Sequence, residues 1–166
     1  MLIYYPLVAQ TTALKNVVYL EGLGNNGVYS FNYEKLVAEG LGFTNYIRIG
    51  FGVTRSLDWS YLSPSGSSNL QYNVPLMFVA ENGLKKIKFE WGFGPAIAYG
   101  EPVRRTNIVS KINSNDYDFA VTGTLGIRYT FSKTPIFLKV AYTPIYDIGP
   151  KFLLWTWIGL GAGYAF

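Results

Sequence analysis

A chain of 166 residues, 49% hydrophobic and 17% aromatic but only 14% charged, carries a net charge of +4. The length suits one domain of eight strands with their connections, and the charge content falls well below the roughly 25% of ordinary soluble domains. Its 18 glycines and many aromatics, 14 of them tyrosine, argue against disorder and against a helical bundle. Basic residues are scattered apart from Lys85-Lys86 and Arg104-Arg105, whereas a nucleic-acid binder gathers them on one surface, so no nucleic acid is expected as a partner. The chain has no cysteine and no histidine. That excludes disulfides and thiolate metal sites and removes the commonest general base and transition-metal ligand. No catalytic residue, metal or cofactor is expected.

Residues 1–14 stand apart. MLIYYPLVAQ is apolar and ends in small Ala9 before Gln10, which reads as the remnant of a secretory leader or as an N-terminal arm; residues 15–166 are read as the barrel described below. The least polar stretch, Phe152 to Phe166, spans 15 residues, short of the roughly 20 that a membrane helix needs.

From residue 16 onward the dominant period is two, the signature of strands. The first strand runs from about Asn16 to Gly24 and turns at Asn25-Asn26-Gly27, residues that accept the positive φ of a tight hairpin. The second, Val28 to about Val37, sets Tyr29, Phe31 and Tyr33 against Ser30, Asn32 and Glu34. In the third, Tyr46 to Val53, Ile47, Ile49, Phe51 and Val53 oppose Arg48, Gly50 and Gly52. The fourth, near Leu70 to Ala80, alternates Tyr72, Val74, Leu76 and Phe78 with Gln71, Asn73, Pro75 and Met77; Pro75 cannot donate to a ladder, so a bulge or local distortion is expected there. After a turn at Glu81-Asn82-Gly83, the fifth strand opposes Ile87, Phe89, Trp91 and Phe93 to Lys88, Glu90, Gly92 and Gly94.

The sixth strand, about Tyr117 to Phe131, places Phe119, Val121, Leu125, Ile127 and Tyr129 opposite Ala120, Thr122, Thr124, Gly126 and Arg128. In the seventh, Ile136 to Tyr146, Leu138, Val140 and Tyr142 face away from Lys139, Ala141 and Thr143. The eighth runs from about Leu154 to the end, with Ile158, Leu160, Ala162, Tyr164 and Phe166 on one face and Gly159, Gly161, Gly163 and Ala165 on the other.

One face of every strand is bulky and apolar, and the other is tiny, polar or charged. A water-soluble sheet would need the reverse inside. The pattern fits an all-β, eight-stranded antiparallel up-and-down transmembrane β-barrel, apolar toward lipid and polar toward the lumen. Residues 55–69 and 100–116 are long polar connections on one side; Glu81 to Lys85 and Ser132 to Pro135 are short ones on the other. That asymmetry is the bacterial outer-membrane arrangement, with both termini periplasmic. Ala38 to Asn45 stands out as longer than a minimal turn on the periplasmic side.

The inward set holds many charges: Glu21, Glu34, Arg48, Lys88, Glu90, Arg128 and Lys139. Charges shielded from water must pair, so they are expected to form a salt-bridged plug that closes the lumen; a proton or ion pathway is the alternative. Gly22, Gly24 and Gly27 match a dinucleotide fingerprint in form only, because the following VYSFNYE alternates as a strand where the fingerprint needs a helix. Tyr72, Tyr99, Tyr146, Trp155 and Trp157 lie near strand ends and read as interfacial girdles. Trp59 and Tyr61, with Arg104, Arg105 and Lys111, belong to the two long loops and are candidates for contact with a partner or with anionic lipopolysaccharide.

VYLEGLGNNGVYSFNYE (Val18 to Glu34), RIGFG (Arg48 to Gly52) and the final GLGAGYAF resemble the small outer-membrane β-barrel proteins of the Bacteroidota type. FEWGFGP (Phe89 to Pro95) and AYTPIY (Ala141 to Tyr146) are similar to that group's later strands. The OmpA/OmpX-like barrels are comparable at the level of fold. The terminal set Ile158, Leu160, Ala162, Tyr164 and Phe166 looks like the signal read by the barrel-assembly machinery. The resemblance implies a location and a fold but no reaction. Expected partners are outer-membrane lipids and lipopolysaccharide, the assembly machinery during biogenesis, and other envelope proteins. The expected function is a non-enzymatic outer-membrane barrel, structural or an accessory subunit of a larger envelope complex. A narrow channel, a lipid-modifying barrel enzyme and a soluble lipocalin-like barrel are the competing readings.

Overall fold

The computed structural model describes residues 15–24, 27–40, 42–55, 70–84, 86–100, 116–148 and 154–166. Eight strands follow in chain order: β1 (Asn16–Gly24), β2 (Gly27–Gly40), β3 (Phe43–Arg55), β4 (Leu70–Gly83), β5 (Ile87–Gly100), β6 (Asp116–Thr130), β7 (Ile136–Asp147) and β8 (Leu154–Ala165). Each pairs antiparallel with its neighbour, and β1 pairs with β8, closing the barrel. The seam is fixed at its lower end by two backbone bonds, Asn16 N to Phe166 O and Phe166 N to Asn16 O, both 2.8 Å. Closure leaves no exposed sheet edge.

The barrel is inside-out relative to a soluble one, as the alternation predicts. Leu20, Phe31, Phe51, Phe89, Leu125 and Leu160 point outward and are half or more exposed, while their neighbours Glu21, Asn32, Gly50, Glu90, Thr124 and Gly161 are buried. In water such a wall would be an aggregation surface; against hydrocarbon it is the favourable face, and closure pairs every strand with a neighbour on both sides. No described helix is long and apolar enough to cross a membrane. The strands do the crossing.

Tyrosines mark one level of the wall. Register aligns Tyr29, Val53, Tyr72, Tyr99 and Tyr117 across five successive strands, with Tyr99 and Tyr117 ring centroids 5.2 Å apart. At the opposite end Tyr33, Val18, Tyr164 and Ile136 share a row. These are the amphipathic belts expected at two membrane–water interfaces. Trp157 departs from the girdle expectation: it lies on the same face of β8 as buried Gly159 and Gly161, so it belongs to the lumen side. Of the expected girdle, the side chain of Trp155 lies outside the described residues.

Two local expectations are corrected. The connection between β2 and β3 is tight: pairing continues to Gly40–Phe43, and Gly42 has φ 82°. A register shift between Leu36 and Ala38 lengthens β2 by one residue and disguises the strand as loop in the sequence. The second correction concerns Glu81, which lies inside β4, paired with Glu90, and not in a turn. At Pro75 the ladder to β3 skips from Ile49–Leu76 to Gly52–Asn73 and resumes in the same register. The missing N–H therefore interrupts pairing without a bulge.

The lumen is filled in layers. Near the end that holds Asn16 and the short turns, Val17, Tyr19, Tyr46, Met77, Val79 and Phe137 form an apolar floor. Small residues make room for it: a Cβ on Gly163 would collide with Tyr19 and with the Phe137 ring. Above the floor the packing turns ionic.

Candidate functional site

Strand alternation delivers the charges to one place. Glu34 on β2 and Arg48 on β3 are direct cross-strand partners, with Arg48 Nη2 2.6 Å and Nε 2.8 Å from Glu34 Oε1. The same Nη2 lies 2.6 Å from Glu90 Oε1 of β5. Arg128 of β6 spans three carboxylates: Nη2 is 3.0 Å from Glu34 and 2.8 Å from Glu90, and Nη1 is 2.7 Å from Glu81. Lys139 of β7 adds Nζ contacts of 2.8 Å to Glu90 and 3.4 Å to Glu21 of β1. Lys88 bonds Glu81 at 3.1 Å from a position still partly open to solvent. Thr124 donates a further hydrogen bond to Glu90, 3.3 Å.

All seven charged residues expected in the lumen lie in this network. Sequence reasoning missed its eighth member, Glu81, because Glu-Asn-Gly has turn composition. The inward parity of β4, shared with Met77 and Val79, was the available signal. With Glu81 the set has four carboxylates and four cations. The formal charge is zero, which is what an interior shut off from water requires.

Register alone would set like charges side by side. Lys88, Arg128 and Lys139 are neighbours across β5, β6 and β7, and Glu81 adjoins Glu90. Directly opposed like charges destabilise a sheet. The repulsion is offset by bridges that cross the lumen, in which each arm of cations meets carboxylates from other strands. Aromatic faces complete the cage: the Arg128 guanidinium carbon sits 4.4 Å from the Phe137 ring centroid, and Lys139 Nζ 4.9 Å from that of Tyr19. Tyr19 also accepts a hydrogen bond from Lys139, 3.3 Å.

The other expected sites divide by location. Gly22, Gly24 and Gly27 lead into the β1–β2 hairpin, with Gly24 paired to Gly27 and a strand beyond, so no helix N-terminus stands ready for a pyrophosphate. Ile158, Leu160, Ala162 and Tyr164 face outward on β8, followed by exposed Phe166. Trp59, Tyr61, Arg104, Arg105 and Lys111 lie outside the described residues, as do residues 1–14. Among the described residues no cluster of acidic side chains is arranged to hold a metal ion.

No protein-family model matches the chain, and no curated protein is detectably similar to it in sequence. In structure it is similar to the N-terminal β-barrel domain of OprF from Pseudomonas aeruginosa, with a TM-score of 0.64 and 14% identity over 93% of this chain and 100% of that one. The Yersinia pestis outer membrane protein Ail, determined in a phospholipid bilayer nanodisc, aligns over 92% of this chain and 99% of its own, with a TM-score of 0.49 and 12% identity. At such identity the likeness to OprF is one of fold, and it agrees with the topology: this chain is a small, closed, eight-stranded β-barrel of the transmembrane kind.

Proposed function

We propose that the chain is an integral barrel of the bacterial outer membrane with a non-enzymatic role, structural or as an accessory subunit of a larger envelope complex. The observation that carries this reading is the inverted distribution of polarity: Glu34, Arg48 and Lys139 have fully enclosed side chains while Leu20, Phe93 and Leu160 stand exposed on the wall. The asymmetry of the two ends supports periplasmic termini. Asn16 and Phe166 share an end with the three short turns, and residues 56–69 and 101–115 connect strands at the other. The quoted segments that resemble Bacteroidota-type barrels favour the same setting.

A lumen whose inward charges are committed to one another in ion pairs favours partner binding over turnover. Lipids and lipopolysaccharide contact the wall and the outer rim, the assembly machinery reads the Ile158-to-Phe166 strand during biogenesis, and envelope proteins dock on the two long loops. Trp59 and Tyr61 would supply aromatic anchors and Arg104, Arg105 and Lys111 complementary charge. Affinity purification from native membranes, with and without both loops shortened, tests the proposal. Co-purifying envelope proteins that disappear with the loops support it. An unchanged partner set points to the wall instead, and recovery of the chain in the soluble fraction overturns the membrane reading itself.

A further inference from the structure

The β2–β3 hairpin overruns β1, and a recess lies at that rim of the barrel. β1 begins at Asn16, which pairs with Lys35, whereas β2 continues past it to Gly40. Among the described residues, the last backbone tie between the two strands at this end is Leu36 N to Lys15 O, 2.8 Å. Beside it, at the bulge between Leu36 and Ala38, lies an open recess of about 560 Å³ lined by Lys15, Asn16, Lys35, Leu36, Val37 and Glu39 among others. Its chemistry suits a phospholipid at an interface: Val37 is 53% exposed, and both lysines are exposed beside it, outnumbering the one carboxylate of the lining, Glu39.

Height and charge agree with that chemistry. Lys35 lies one inter-residue pair below Tyr33 on the outer face, and the Tyr33 hydroxyl donates to Asn16 Oδ1 at 2.8 Å, placing the recess just beneath the belt formed by Tyr33 and Tyr164. Lys86 and Lys133, exposed on the other two turns, extend a cationic rim around the same end. Long lysine stems lie along apolar surface while the ammonium reaches the headgroup level. Lysines near an anionic leaflet are attracted to it.

We propose that this recess, with Lys15 and Lys35 as its cations, binds the phosphodiester headgroup of an anionic glycerophospholipid in the leaflet on the turn side, an inference that rests on the outer-membrane reading above. The test is native mass spectrometry of the barrel released from micelles holding equal amounts of phosphatidylglycerol and phosphatidylcholine. Wild-type protein should retain phosphatidylglycerol preferentially. Lys15→Gln/Lys35→Gln should cut that preference by roughly fivefold per lysine, while Lys133→Gln on the same rim leaves it nearly intact. Equal retention of the two lipids, or the same loss in all variants, would overturn the site while leaving a folded membrane barrel. A chain that forms no heat-modifiable barrel in either lipid would instead remove the membrane reading on which the site depends.

Discussion

Arg128 of β6 holds Glu34 of β2 across the full width of the barrel, Nη2 lying 3.0 Å from each carboxylate oxygen. In a ring of eight strands, β2 and β6 are diametrically opposite, so this contact is a bar through the lumen. Ordinary cross-strand pairs tie neighbours; this one ties walls that share no backbone bond. The same guanidinium reaches Glu90 and Glu81, which makes Arg128 the hub of the plug.

Removing one end of the bar should therefore cost far more than removing both. Arg128→Met leaves buried carboxylates uncompensated and is expected to destabilise the refolded barrel by about 3–5 kcal/mol. Glu34→Gln should fall in the same range, and the double variant should recover a substantial part. Urea unfolding in micelles followed by tryptophan fluorescence measures all three. Strict additivity of the two single losses would show that the pair does not act as a unit.

Glu81 and Lys88 bond each other but differ in enclosure, and their variants should differ accordingly. Glu81→Gln strips a partner from both Arg128 and Lys88 inside the lumen, with an expected loss of about 3 kcal/mol. Lys88→Gln acts at a side chain 28% exposed to solvent, where the loss should stay below about 1 kcal/mol. Equal effects in the same unfolding assay would contradict the eight-member network.

Depth in the bilayer should grade the cost of arginine on the outer wall. Phe93 is near the middle of β5, opposite Gly123 of β6, whereas Ile87 starts the strand at the turn end. Phe93→Arg should cost about 2–4 kcal/mol and Ile87→Arg about 0–1. Phe89 lies between them. A flat profile, read from folding yield and heat-modifiable migration in lipid vesicles, would show that this wall does not face hydrocarbon.

Phe137 serves two layers at once. It packs edge-on against Tyr19, centroids 5.9 Å apart, and its face lies under Arg128. Phe137→Ala should destabilise by about 3–5 kcal/mol through the cavity it leaves, and Phe137→Leu by clearly less. Indistinguishable melting of the two would mean that the floor is not close-packed.

Much of this architecture is legible in the residues because a barrel in lipid obeys a two-residue period without exception for a core. Glu90 between Phe89 and Trp91, or Arg48 between Ile47 and Ile49, can point only one way. What stays hidden has physical causes. Tyr19 and Phe137 fill the lumen yet look like wall residues, since an apolar side chain suits either face. The Leu36–Ala38 bulge breaks the period that would have carried β2 to Gly40, and Glu81 carries turn composition into a strand. The choice of Glu34 by Arg128 depends on strands far apart in sequence, which no local pattern encodes.

Paired charges close the lumen of a membrane-spanning barrel if Glu34, Arg48, Glu90, Arg128 and Lys139 act as the plug their contacts form. Single-channel recording of the purified monomer in a planar bilayer tests it most directly. The wild type should insert with no steady conductance, and Glu34→Ala/Arg128→Ala, where the transverse bar is gone, should leak. Steady wild-type conductance that disappears when Arg48, Glu90, Arg128 or Lys139 is altered would contradict the closed plug and make the same charges an ion path.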